Sequence, residues 1–436
     1  MAKGNGILKT KDGVSYLLPF ILITSCFALW GFANDITNPM VKSFSKIFRM
    51  SVADGALVQV AFYGGYFAMA LPAALFIKRF SYKAGILMGL GLYAVGALMF
   101  LPAAKFGYYW PFLIAYFILT CGLSFLETSA NPFVLSMGDE RDATRRLNFA
   151  QSFNPIGSLC GMWVAMNFIQ AKMNPMSTVE RASLPDAEFE ALKMADLSVV
   201  VRPYAAIGLV LVVIFLLVLF TKMPVGNKGH EGARMAFGRS LRRLSANPAY
   251  REGVVAQFFY VGAQITCWTF IIQYGTHVFM AEGMGEQAAE ILSQRLNIVA
   301  MVLFCSSRFI CTWLMKRFRP ESMLSLFALV AAVLSLVVMF VGGRTGVYAL
   351  VAISACMSLM FPTIYGLALK DVGPETEIGS AGLIMAILGG SLLPPLQAMI
   401  IDGGHVAFSF IVPCICFIVI LLYGIRRRSS ISNPQA

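Results

Sequence analysis

Apolar runs of 20 or so residues alternate with short polar connections along the whole chain, and about 20 apolar residues are what a helix needs to cross a bilayer. Twelve such runs are legible. The first six cover approximately Tyr16–Val41, Ala56–Ile77, Ala84–Ala104, Tyr109–Leu135, Leu147–Ile169 and Val199–Thr221. The second six cover Val254–Met280, Ile291–Leu314, Met323–Val341, Val347–Leu369, Ile378–Ile400 and Val406–Ile425. Each predicts a spanning helix, because a lone segment in lipid must satisfy its backbone internally.

Two carboxylates interrupt this pattern: Asp35 inside the first run and Glu127 inside the fourth. An ionisable residue near the middle of a span costs roughly 2.5–3.5 kcal/mol on insertion scales, so it is expected to line a cavity or an ion path. Desolvation favours the neutral form of a carboxyl, which suits a group that binds and releases protons. Asp35 and Glu127 are therefore the proton-coupling candidates, and the chain reads as a membrane transporter.

The longest internal polar stretch, Pro224 to Pro248, separates six runs from six. It predicts a first bundle over 1–223, a cytoplasmic linker over 224–248 and a second bundle over 249–436. The halves echo one another. Trp30 and Trp268 lie 238 residues apart, and Lys78-Arg79-Phe80 returns as Lys316-Arg317-Phe318 at the same offset. Ser124-Phe125-Leu126 has a counterpart in Ser358-Leu359-Met360. A parallel repeat of six helices, with substrate bound at the midplane between halves, is the architecture of major facilitator transporters. The expected fold is thus an all-α membrane protein of twelve transmembrane helices in two pseudo-symmetric halves. Glu127 aligns with Phe361 in that repeat, so the ionisable chemistry belongs to the first half.

Composition sharpens the picture. Hydrophobic residues make up 58% of the chain and charged ones 13%, with a mean hydropathy of +0.73, far from a soluble domain. The net charge of +12 does not imply nucleic acid. Its lysines and arginines concentrate in alternate connections, including Lys78, Arg79, Lys83, Arg141, Arg145, Arg146 and Arg426 to Arg428, so the positive-inside rule places both termini in the cytoplasm. All nine cysteines fall within apolar runs and read as small hydrophobes, not as a disulfide or metal framework. The first run carries Asn34, Asp35 and Asn38 where a cleavable leader would be uniformly apolar.

Polar side chains recur at helical spacing inside four runs. Trp30, Asn34 and Asn38 share a face of the first, with Pro39 following; Glu127 precedes Asn131-Pro132 in the fourth. Asn148, Gln151 and Asn154 precede Pro155 in the fifth, and Gln257, Tyr260, Gln264 and Trp268 mark the seventh. Amides both donate to and accept from hydroxyls, and an indole or phenol ring offers a flat apolar surface. The set suits a neutral polyhydroxylated ligand, and Trp30, Asn34, Gln151, Asn154, Gln264 and Trp268 are expected to face one cavity. Isolated amides in spans also serve simply to join helices. Arg202 and Arg308 lie near run ends and are read as snorkelling. The three histidines form no metal motif, and there is no Cys-x-x-Cys or phosphate loop. No enzyme activity, metal or cofactor is expected.

The strings Leu126-Glu127-Thr128-Ser129-Ala130-Asn131-Pro132-Phe133, Arg146-Leu147-Asn148-Phe149-Ala150-Gln151-Ser152-Phe153-Asn154 and Tyr260-Val261-Gly262-Ala263-Gln264 resemble the fucose permease family of the major facilitator superfamily. So do Phe62-Tyr63-Gly64-Gly65-Tyr66-Phe67 and Ser81-Tyr82-Lys83-Ala84-Gly85-Ile86. The likeness covers nearly the whole chain. It implies a monomeric, multi-pass inner-membrane symporter of a monosaccharide and a proton, with Glu127 in coupling or sugar binding. The chain departs from that family where Asn38 stands at the position of an aspartate with a proton-carrying role; Asp35 is the nearby carboxylate. Phe361 stands where a tyrosine is expected. The alternatives are sodium-coupled or uncoupled transport of another hexose or amino sugar, such as glucose, galactose or N-acetylglucosamine, and a non-transporting sugar sensor.

Overall fold

The computed structural model describes residues 16–37, 40–50, 54, 57–176, 178–223, 237–370 and 372–432. Asn38, Pro39 and residues 224–236 of the expected linker lie outside them. The described residues are helical almost throughout. Eleven of the segments are long and apolar enough to cross a membrane.

The fifth expected span, Leu147–Ile169, is not one helix. Its first part ends at Gln151, a turn occupies Ser152 and Phe153, and a second helix starts at Asn154 and passes into a π-helical turn over Ala165–Ile169. Pro155 explains the break, since it cannot donate to the carbonyl four residues back. The same physics interrupts the tenth span at Ser358 and Leu359, ahead of Pro362.

The chain forms two compact units, Met1–Met137 with Phe153–Ala233, and Gly138–Ser152 with Arg234–Ala436. The break at Ser152–Phe153 is therefore also where the chain passes from one unit to the other. The segment before it, which the sequence places in the first bundle, groups with the second unit.

In the first unit the principal helices are α1 (Leu17–Thr37), α2 (Met40–Ile47), α3 (Leu57–Arg79), α4 (Tyr82–Leu98), α5 (Phe100–Phe106), α6 (Trp110–Ser136), α8 (Asn154–Val164) and α9 (Asp186–Phe220); α7 (Ala143–Gln151) belongs to the second unit. Small residues set the helix crossings, because lipid offers no hydrophobic drive between helices and close backbone approach supplies the attraction. A Cβ on Gly157 of α8 would collide with the Ala28 carbonyl of α1, and one on Gly31 with the Asn154 carbonyl. Gly89 of α4 and Gly122 of α6 oppose one another in the same way, and Gly65 of α3 sits against Thr120. Polar side chains then tie α1 in place by its carbonyls: Asn154 donates to Phe27 at 3.2 Å, Tyr93 to Leu29 at 2.9 Å and Ser158 to Gly31 at 3.3 Å.

In the second unit α11 (Pro248–Ala281) packs against α12 (Glu286–Leu314), α14 (Gly343–Met357), α15 (Met360–Leu369), α17 (Gly389–Asp402) and α18 (Ile411–Ser432). Short α10 (Phe237–Ala246) precedes it; α13 (Pro320–Phe340) lies on α14 and α18, and α16 (Thr376–Met385) precedes α17. The most enclosed spanning segments of the chain are Trp110–Ser136 and Gly343–Leu369, the fourth and tenth spans. Glu127 thus sits on one of the two deepest segments, with Phe361 on the other.

Candidate functional site

The first unit builds a carboxylate site around Glu127. Gly65 lets α3 approach α6 closely, and Ser124 Oγ donates to the Tyr66 carbonyl at 3.0 Å. That contact sets the register in which the Tyr66 hydroxyl donates to Glu127 Oε1 at 3.2 Å. The Trp30 indole N–H, carried on α1, approaches the same carboxyl. Trp30 is itself buried and stacked on Phe27, ring centroids 4.7 Å apart. Asn131 Nδ2 donates to the Glu127 backbone carbonyl at 3.0 Å, so this amide serves its own helix. Glu127 is 3% exposed, and its Oε2 has no hydrogen-bond partner among the described residues. One oxygen is held and the other is left for a proton or a donor.

The other sequence-predicted residues of this unit lie on α1 and α8. Asn34 and Asp35 are half-buried, and Asp35 is near enough to Tyr63 of α3 to act on it electrostatically. Asn154 spends its amide N–H on the Phe27 carbonyl, one turn from Trp30.

In the second unit, Gln264 and Trp268 of α11 are half-buried, and the Trp268 indole donates to Ser354 Oγ at 3.2 Å while its ring meets Phe304 edge-on at 4.9 Å. Tyr260 is fully buried and donates to the Met357 carbonyl at 3.2 Å, at the interruption of the tenth span. Gln151 is 4% exposed and closes α7. Asn148, one turn earlier, donates to Thr363 Oγ1 of α15 at 3.2 Å. The expected Asn148, Gln151, Asn154 stripe is therefore divided: its first two members lie before the break and its third beyond it.

Two residues stand differently from the sequence reading. Gln257 has its whole amide buried with no hydrogen-bond partner among the described residues, although its place in the Gln257-Tyr260-Gln264 stripe marked it. Arg308 corrects an expectation outright. It does not snorkel: it is 3% exposed, and its guanidinium donates from Nη1 to the Gln151 carbonyl at 3.0 Å and from Nε to the Ser358 carbonyl. It also lies over the Phe304 ring at 4.6 Å. No carboxylate pairs with it among the described residues. Its partners are the carbonyls that Pro155 and Pro362 leave without a helical donor, which is a better reason for burial than proximity to a helix end.

A helical membrane protein of two units, with the enclosed Glu127 carboxylate in the first and the buried Arg308 in the second, defines a polytopic transporter fold. The chain belongs to the Major Facilitator Superfamily, whose model matches residues 23–392. It is 51% identical to the L-fucose-proton symporter of Haemophilus influenzae, over 94% of this chain and 96% of that one. It is 36% identical to the L-fucose-proton symporter of Escherichia coli, over 96% of this chain and 95% of that one. A crystal structure of the Escherichia coli fucose:proton symporter, FucP, matches with a TM-score of 0.86, covering 95% of this chain and 99% of that one. The Glucose/galactose transporter of Brucella abortus (strain 2308) is 29% identical over 97% of each chain.

Proposed function

We propose that this protein is a secondary active transporter, not an enzyme, that carries L-fucose or a related hexose into the cell together with a proton by alternating access. It would act as a monomer in the inner membrane with both termini in the cytoplasm, its first bundle, linker and second bundle being 1–223, 224–248 and 249–436. The observation that carries this reading is the Glu127 carboxyl, enclosed in the first unit with one oxygen held by Tyr66 and the other without a hydrogen-bond partner among the described residues.

The chemistry follows from that asymmetry. Protonated, Glu127 presents an O–H that can donate to a sugar hydroxyl; ionised, it can only accept. Sugar affinity therefore depends on the proton, and the proton on the sugar, which is the reciprocity that coupling requires. Trp30, Asn34, Asn38 and Asn154 on the first unit, with Gln151, Tyr260, Gln264 and Trp268 on the second, are the proposed sugar contacts. Asp35 takes the second coupling role. The names of the Haemophilus and Escherichia relatives support both the sugar and the proton.

Proteoliposomes containing the purified chain test the proposal. An inward pH gradient should drive accumulation of labelled L-fucose, and counterflow should proceed without any gradient. Absence of both would reject transport of this sugar. A second reading, in which glucose or galactose is the substrate and sodium or no ion the driver, draws on the Brucella relative and on Asn38, which cannot titrate. Accumulation that follows a sodium gradient at fixed pH would select it.

A further inference from the structure

A concavity on the first unit is lined by none of Glu127, Tyr66 and Trp30. It has a volume of about 400 Å³ and is walled by Phe32 of α1, Trp163 of α8, Phe168 of the π-helical turn and Ile207 of α9, with Lys172 and Arg202 at its polar end. Its size is that of a ligand pocket. Trp163 and Phe168 meet edge-on with centroids 5.4 Å apart, and the Lys172 ammonium stands 4.9 Å from the Phe168 ring. The π-turn at Ala165–Ile169 places that ring, and such turns recur at functional sites.

Charge and depth identify the occupant. Both cations are exposed, and neither makes an ion pair with a carboxylate among the described residues. Two other cations of this unit do have carboxylate partners: Arg181 pairs with Asp196 at 2.6 Å and Lys193 with Glu190 at 2.7 Å. Arg202 precedes Phe220, where α9 ends, by a stretch about 27 Å long at 1.5 Å per residue. The hydrocarbon core is about 30 Å thick. Lys83 Nζ caps the far end, donating to the Leu219 and Thr221 carbonyls at 2.9 and 2.8 Å. Arg202 is thus at headgroup level, and the apolar wall continues toward Val210, about 12 Å further into the hydrocarbon. Arg and Lys at that level suit a phosphodiester, and the wall below suits an acyl chain.

We propose that this groove binds one anionic glycerophospholipid, its phosphodiester between Lys172 and Arg202 and one acyl chain against Phe32, Trp163 and Ile207. The full-length protein in detergent, titrated with phosphatidylglycerol or phosphatidylcholine and read by native mass spectrometry, tests it. Phosphatidylglycerol should bind at least tenfold tighter than phosphatidylcholine, and K172Q/R202Q should erase that difference. Phosphatidylglycerol carrying brominated chains should quench the Trp163 share of the fluorescence, defined by the difference from W163F, more than brominated phosphatidylcholine does. This second measurement needs no charge variant, so it decides the matter even if K172Q/R202Q fails to fold. Equal binding of the two lipids, an unchanged preference in K172Q/R202Q, or no selective quenching of Trp163 would overturn the proposal. So would competition by glycerol phosphate as effective as that of the lipid, which would reduce the site to one for a free anion.

Discussion

Arg308 Nη1 donates at 3.0 Å to the carbonyl of Gln151, the acceptor that Pro155, four residues on and lacking an N–H, leaves without its helical donor. The same guanidinium donates from Nε to the Ser358 carbonyl, which Pro362 deprives in the same way. One buried cation thus satisfies the breaks of two different spans, and Tyr260 holds the adjoining Met357 carbonyl.

This relationship predicts a thermodynamic coupling. A hydrogen bond to a charged group contributes about 1.5–3 kcal/mol, so Arg308→Met should lower stability by several kcal/mol. Restoring the backbone donors with Pro155→Ala and Pro362→Ala should make the same change much milder. Residues sharing one network show coupling of about 0.5–3 kcal/mol. Thermal unfolding in detergent of the parent, R308M, P155A/P362A and the combined variant closes the cycle; strict additivity would show that Arg308 does not serve these carbonyls.

What was legible in the chain follows from how membranes constrain it. Spans stand out as apolar runs because lipid forbids unsatisfied backbone, and Glu127 stands out because a carboxylate there is costly. The interruptions at Pro155 and Pro362 were not read, since the apolar runs continue through both. Arg308 was not legible, because its partners lie 157 and 50 residues away and nothing local distinguishes a buried arginine from a snorkelling one. The missing signal was the pair of prolines, each of which leaves a carbonyl that needs a donor. The separation of Gln151 from Asn154 was hidden for a related reason: their spacing fits one helical face only while the helix continues.

The ion pair of Arg181 with Asp196, side chains 0% and 3% exposed, should respond asymmetrically to mutation. Removing one partner strands a buried charge at a cost of about 3–5 kcal/mol, whereas replacing both with apolar residues is often near neutral. Asp196→Ala should therefore melt well below the parent, and R181M/D196L should recover most of the loss. A double variant as unstable as the single one would mean that the pair's own attraction dominates.

Glycine positions in the first unit predict a contrast. Gly157→Val would drive its Cβ into the Ala28 carbonyl, a backbone atom that cannot swing aside, and overpacking of this kind costs about 1–3 kcal/mol or more. Gly64→Ala meets nothing within 4 Å and removes a helix-interior glycine, worth roughly 0.5–1 kcal/mol. Melting temperatures should fall for G157V and hold or rise for G64A. The reverse order would place the close crossing of α1 and α8 elsewhere.

Sugar affinity provides a direct test of the proposed contacts. Leaving a buried hydrogen-bonding partner unpaired costs about 1–3 kcal/mol, so Gln151→Ala and Gln264→Ala should each weaken binding by roughly 5- to 150-fold. Isothermal titration of the purified variants reads this without requiring transport. Parent-like affinity in both would remove these residues from the site.

Coupling is where the chain differs most from the family pattern, since Asn38 cannot carry a proton, and the proposed function assigns the work to Glu127 and Asp35. Glu127→Gln keeps the shape of the carboxyl and the acceptor for Tyr66 but cannot titrate. Asp35→Asn does the same beside Tyr63. Counterflow needs only sugar exchange, with no net proton movement, so either neutral variant should keep counterflow while losing accumulation under an imposed pH gradient. Tyr66→Phe leaves the carboxyl ionisable while removing the donor at 3.2 Å, and should retain accumulation at reduced rate. Proteoliposome uptake and counterflow, measured side by side on the three variants, separate the roles. Full accumulation by both E127Q and D35N would exclude proton coupling through these carboxylates, and loss of counterflow together with accumulation would assign them to sugar binding alone.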